Sequence, residues 1–237
     1  MPHNEQVILT MAIRLILFDI DGTLLHAKGA GRASTRAAMQ EVFGTAGDLD
    51  GYSFLGKTDW SILVDLLGEN GYSPSDIERL MPAYEESIAR HLGQMIADYA
   101  VEPCGSALEV VRDLQGENNR LLGLVTGNVS STAPIKLRAA GFDPDWFRVG
   151  GYGNESGDRD ELAALALERA KKQIGAVIPA EEIALVGDTP SDVHSARALG
   201  ALAVAVTTGF ASREALVAAQ PDHLLDDLSA LPSILAE

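Results

Sequence analysis

Leu15-Ile16-Leu17-Phe18-Asp19-Ile20-Asp21-Gly22-Thr23-Leu24 is the stretch that decides how this chain is read. An apolar run of strand length stops at two carboxylates one residue apart, and a Gly-Thr turn follows. Side chains alternate along an extended strand, but where the chain curls at its end Asp19 and Asp21 can converge on one point. Two acids placed together suggest a hard cation, a nucleophile beside an acid/base, or both. A strand ending in a solvated acidic turn would give the same short pattern, so the decision lies downstream.

Further apolar runs follow at Leu121 to Thr126, Phe147 to Gly150, Ile183 to Val186 and Leu202 to Val206, and the first begins at Ile13. Helical patterns lie between them. Ser106-Ala107-Leu108-Glu109 reads as a capping box, and Leu162, Leu165, Ala166 and Arg169 repeat at helical spacing after Asp158. Thr189-Pro190 opens a helix and Gly200 closes it. Strands separated by helices predict an α/β fold, a Rossmann-like parallel sheet with helices on both faces. Between residues 27 and 101 the rhythm changes to helical periodicity without a strand. Ser73-Pro74 starts one helix there, Pro82 should kink or break it, and Asp59 is placed to cap another. The expected division is a core of residues 1–26 and 102–237 with an inserted all-helical cap domain of residues 27–101.

Composition narrows the function classes. The chain has 237 residues, 46% of them hydrophobic, and a formal net charge of −16, which argues against a nucleic-acid or anionic-membrane surface. A local site can still be cationic and take an anionic substrate. Cys104 is alone, which fits a reducing compartment. Met1 to Thr10 carries no secretory pattern, and no run approaches the ~20 apolar residues of a membrane span, so a cytoplasmic location is expected.

Two more strand ends carry polar groups: Thr126-Gly127-Asn128, and Asp188-Thr189-Pro190-Ser191-Asp192. In a parallel sheet the carboxyl ends of strands share one edge, where ligands bind. Asp19, Asp21, Thr126, Asn128, Asp188 and Asp192 can therefore meet in one crevice. Clustered acids repel unless a cation neutralises them, and all-oxygen ligands favour Mg²⁺.

These motifs, in this order on an alternating chain, resemble the haloacid dehalogenase-like hydrolase superfamily, in particular its phosphoglycolate phosphatase-like members with a helical cap. The resemblance implies a Mg²⁺-dependent phosphatase acting on a small phosphorylated metabolite, as monomer or homodimer. Asp19 would be the nucleophile that becomes an aspartyl-phosphate, and Asp21 the acid/base whose backbone carbonyl also touches the metal. Thr126 would hydrogen-bond the phosphoryl oxygens with the amide of Gly127 beside it, and Asn128 would line the same subsite. Asp19, Asp21, Asp188 and Asp192 form the expected metal set, Asp192 through water or by orienting a basic residue instead. Where the family usually presents a lysine, this chain offers Arg159; it could also pair on the surface with Asp158, Asp160 or Glu161. Lys136 and Lys171 are weaker substitutes, both within helices whose solvated face would explain them.

The acid at Asp21 fits oxygen esters. A sugar phosphomutase of the superfamily would carry a histidine about twelve residues after the nucleophile, where this chain has Gly31. A catalytically silent binding protein on the same fold would not need the whole set of acids and hydroxyl. Phe54-Leu55-Gly56-Lys57-Thr58-Asp59 resembles the substrate-specificity loop of capped members, and Lys57 would there receive a second anionic group. His26 lies close enough along the chain to reach the site.

Overall fold

A computed structural model describes residues 12–117 and 119–236 of the chain; the segment Met1 to Thr10 lies outside them. The elements run β1 (Leu15–Phe18), β2 (Leu25–His26), α1 (Ala30–Phe43), α2 (Asp59–Gly68), α3 (Pro74–Met95), β3 (Glu102–Pro103), α4 (Ala107–Gln115) and β4 (Leu121–Thr126). Then follow α5 (Ala133–Ala139), β5 (Phe147–Tyr152), α6 (Arg159–Ile174), β6 (Ile183–Gly187), α7 (Pro190–Leu199), β7 (Leu202–Val206), α8 (Arg213–Ala218), β8 (His223–Leu225) and α9 (Leu231–Ile234). Six strands form a parallel sheet in the order β5-β4-β1-β6-β7-β8.

β1 is buried along its whole length because both its faces are covered. Ile16 and Phe18 pack with Val111 of α4 and Leu137 of α5 on one side. Leu15 and Leu17 pack with Leu162 of α6 and Ala196 of α7 on the other. Phe18 stands in register with Leu124 of β4 and Val186 of β6, so the three polar strand ends leave the sheet side by side.

The helices α1, α2 and α3 bury a third cluster of their own, including Met39, Leu63, Ile77 and Tyr84, and Val129 from the loop after β4 joins it. The strand pair β2–β3 brackets this helical segment and brings its two ends together. That pair and β8 are too short to show an alternating pattern, which is why periodicity misses them.

Three local expectations need correction. Thr58, not Asp59, caps α2, in a reciprocal box with Ser61, and Asp59 becomes the buried first helical residue. α3 runs through Pro82; the proline sits on the exposed face, where water can take the carbonyl it leaves free, while Ile77, Met81, Tyr84 and Ile88 hold the buried face. Ser106 makes no side-chain cap on α4, since its backbone (φ −84°, ψ 8°) lacks the extended conformation that aims a cap hydroxyl at the helix. Thr189, Ser73 and Gly200 act as expected, Gly200 closing α7 at φ 67°. On α6, Leu162 and Ala166 are buried but Leu165 faces solvent.

Candidate active site

The carboxyl edge of β1, β4 and β6 opens into a cavity of about 460 Å³ whose far wall is built by the helical segment. Asp19 follows β1 directly and its amide donates to the Val186 carbonyl at 2.9 Å, which ties this strand end to β6. Gly22 turns the chain at φ 93°, and a Cβ there would lie 2.5 Å from Asp188 Oδ2. Only glycine combines that backbone with that approach. Asp188 is buried and accepts from the Phe210 amide (2.9 Å) on Oδ2.

Oxygens of Asp19, Asp188 and Asp192 all lie within 4.8 Å of one another. Burial, reinforced by the charges of Asp192 and Asp21, pushes Asp19 up to about 7 against the pull of Arg159. Burial and the charges of Asp19 and Asp192 push Asp188 up to about 8. Carboxylates so crowded call for a cation, and an all-oxygen donor set fits Mg²⁺. Asp192 is already committed: its Oδ2 takes the amide (2.9 Å) and hydroxyl (2.7 Å) of Thr189 at the start of α7, and its Oδ1 takes Arg159. Asp192 thereby holds the Arg159 guanidinium from the α7 side. The Asp21 side chain points to a different group of partners and stands outside the three-carboxylate cluster.

Arg159, the first residue of α6, is buried with 8% exposure. Its guanidinium lies 3.3 Å from Asp19 Oδ1 and bonds Asp192. Burial alone would weaken its hold on the proton, but Asp192 and Asp19 outweigh that and keep it above its usual range. The surface pairing with Asp158, Asp160 or Glu161 is not what this residue makes. Lys171 does face solvent and pairs with Glu168.

Thr126 is buried at the end of β4, and its Oγ1 accepts from the Asn128 side-chain amide at 2.7 Å. Its own O–H is thereby left to donate toward the cavity. A Cβ on Gly127 would run into the Lys57 carbonyl, so the loop after β4 and the loop before α2 touch backbone to backbone. The amides of Asp59 and Trp60 donate to the carbonyls of Gly127 and Gly153, both at 2.8 Å. The Asp59 carboxylate, pushed up to about 6 by burial, accepts from the Val129 amide (2.9 Å) and the Tyr84 hydroxyl (3.0 Å).

Lys57 lines the cavity, but its ammonium sits 2.9 Å from Asp65 Oδ2, so the charge expected to await a second substrate anion is already neutralised. His26 stacks edge-on against Phe210 at 5.7 Å between ring centroids. Lys136, expected on a solvated helix face and as a weaker substitute for the family's lysine, is instead buried. It is 5% exposed, on the face of α5 that also buries Ala133 and Leu137, and its ammonium is 2.6 Å from Asp21 Oδ2. The signal was available: a lysine in step with the apolar stripe of a helix must find a buried acid.

Residues 13–200 match the model of the haloacid dehalogenase-like hydrolase family. The chain belongs to that family. Among proteins similar to this hydrolase is a phosphoglycolate phosphatase of Synechococcus elongatus, 28% identical over 219 residues, 92% of this chain and 95% of that protein. Pyrophosphatase PpaX of Listeria innocua is 26% identical over 238 residues, 97% and 99% of the two chains. A hydrolase from Pseudomonas syringae shares the fold of this family member with a TM-score of 0.65 at 23% identity, over 94% of this chain and 97% of that one. No helix among the described residues is long and apolar enough to cross a membrane.

Proposed function

We propose that this hydrolase is a Mg²⁺-dependent phosphatase that cleaves a small phosphorylated metabolite through an aspartyl-phosphate on Asp19. The observation that carries the reading is the placement of Asp19 on the cavity floor, between a buried arginine and a second carboxylate held by its own lysine. The named phosphatase and pyrophosphatase relatives support the same class.

Asp19 attacks phosphorus, the bond from phosphorus to the leaving oxygen breaks, and that oxygen takes its proton from Asp21. Asp21, now a carboxylate, removes a proton from the water that attacks the acyl-phosphate, which releases inorganic phosphate and regenerates Asp19. Arg159 and the Thr126 hydroxyl stabilise charge on the phosphoryl oxygens, Thr126 helped by the amide of Gly127. Asp19 and Asp188 would hold Mg²⁺, with the Asp21 carbonyl beside them and Asp192 fixing Arg159. When bound, the ion supplies charge neutralisation for an anionic nucleophile approaching an anionic phosphate.

Residues 27–101 act as a cap that closes over small substrates and excludes water and bulk phosphoproteins. Position 31, where a mutase would carry its histidine, is Gly31 and has Lys136 against it, which favours hydrolysis over phosphoryl return. The test is phosphate release from a panel of phosphorylated metabolites with Mg²⁺, with excess EDTA, and with Asp19→Asn. Release that stops with EDTA and in Asp19→Asn is expected. Full release in EDTA would contradict the reading.

A further inference from the structure

Lys136, Asn128, Asp21 and Thr126 form one closed hydrogen-bonded set. The Lys136 ammonium donates to Asp21 Oδ2 (2.6 Å) and to Asn128 Oδ1 (2.5 Å). The Asn128 amide nitrogen donates to the same Asp21 Oδ2 (2.8 Å) and to Thr126 Oγ1 (2.7 Å). An ammonium can only donate, so the Asn128 oxygen must face Lys136 and its nitrogen must face Asp21, which leaves the amide one orientation. Both donors reach the same carboxylate oxygen, and among the described residues Asp21 Oδ1 receives no hydrogen bond. The acid is therefore held by one oxygen with the other free to exchange a proton.

The two buried cations divide the carboxylates between them. Arg159 contacts Asp19 and Asp192, and Lys136 contacts Asp21. Lys136 lies too far into the protein to be a solvated lysine, and the first turn of α1 leaves room for it. Gly31 has ordinary helical backbone, yet a Cβ there would come within 3.1 Å of Lys136 Nζ.

We infer that Lys136 is a positioning residue for the acid/base carboxylate: with Asn128 it locks Asp21 by Oδ2 so that Oδ1 meets the leaving oxygen, and Gly31 keeps the space this ammonium needs. The inference rests on the phosphatase reading and extends it to a residue outside the recognised motifs. A proton donor displaced by a fraction of an ångström matters most when the leaving group needs its proton, and little when the leaving group departs as a stable anion.

The test compares kcat/KM for 2-phosphoglycolate, an alkyl ester, with that for p-nitrophenyl phosphate, an activated aryl ester, both with Mg²⁺. Lys136→Met should lower the alkyl value about a hundredfold and the aryl value less than about tenfold, with the alkyl loss in kcat rather than KM. Gly31→Ala, which keeps every charge, should lower the alkyl-to-aryl ratio several-fold while the protein melts no earlier, since alanine is the better helix former. That second variant decides the matter if Lys136→Met fails to fold. Lys171→Met, on the solvent face, should change neither ester. Equal losses on both esters in Lys136→Met together with an unchanged ratio in Gly31→Ala would overturn the positioning role. So would a loss confined to KM, which would make Lys136 a substrate-binding cation. Absence of phosphate release by the unaltered protein from both esters and from the metabolite panel would overturn the phosphatase reading itself.

Discussion

The two walls of the cavity are held in different ways. On the sheet side, charged side chains are fixed by other charged side chains: Arg159 by Asp19 and Asp192, Lys136 by Asp21. On the helical side, backbone meets backbone, through the amides of Asp59 and Trp60 on the carbonyls of Gly127 and Gly153 and through close approaches that only glycine permits. The charges of that wall are spent within it. Lys57 pairs with Asp65, and Arg32 bonds the carbonyls of Leu49 and Tyr52 while lying over the Phe54 ring at 4.3 Å. The sheet side is thus built to hold chemistry and the helical side to hold shape.

The contrast predicts that sheet-side cations cost far more to remove than helical-side ones. Arg159→Met should have the largest effect. It leaves Asp19 and Asp192 buried without their partner, a change that costs about 3–5 kcal/mol in comparable buried pairs, and it should lower kcat by about two orders of magnitude or more. Denaturant unfolding and steady-state kinetics check both. An arginine that can be lost without either penalty would break the comparison at its strongest point.

A pH titration sharpens it. Asp19 at about 7 and Asp188 at about 8 stand above the ordinary value of 3.8, so the metal-free folded state keeps protons that the unfolded chain has released. The stability these two groups lend is full at the acid end and is lost as pH rises through about 8. Mg²⁺ must displace the same protons, so its affinity should climb by up to about tenfold per pH unit for each proton between pH 6 and 8 and level off above. Calorimetry in two buffers of different ionisation enthalpy would count the protons; pH-independent affinity would contradict a carboxylate-held metal.

The smallest effect is expected at Lys57. Because its ammonium is already paired with Asp65 at the surface, Lys57→Ala should change kcat/KM less than about fivefold on any ester, the scale of exposed ion pairs. A tenfold rise in KM confined to doubly charged substrates would show that the lysine leaves Asp65 for the ligand, and the helical wall would then carry recognition as well as shape.

Much of the sheet side was legible in the sequence because its signals are local. Asp19 and Asp21 follow an apolar run, Thr126 ends another, and Thr189-Pro190 marks the helix that places Asp192; β1, β4 and β6 then bring them together through simple register. The burial of Lys136 was legible from its place beside Ala133 and Leu137 on α5, but its partner was not, because Asp21 is 115 residues distant and no spacing links the two. The loop before α2 was legible as a loop, but not the contact it makes. Its docking onto Gly127 depends on which glycines leave room for a distant carbonyl, and no spacing rule encodes that. Of the two outcomes expected at Pro82 the break does not occur, because the buried face of Ile77, Met81, Tyr84 and Ile88 carries α3 across it.

In the proposed reaction Asp19 carries the phosphoryl group. The direct measurement is to quench the turning-over protein in acid, reduce it with borohydride, and map the modified residue by peptide mass spectrometry. A reduced side chain at position 19, formed only with both Mg²⁺ and substrate, is the predicted result. Continued turnover with position 19 unmodified and another residue reduced in its place would contradict it.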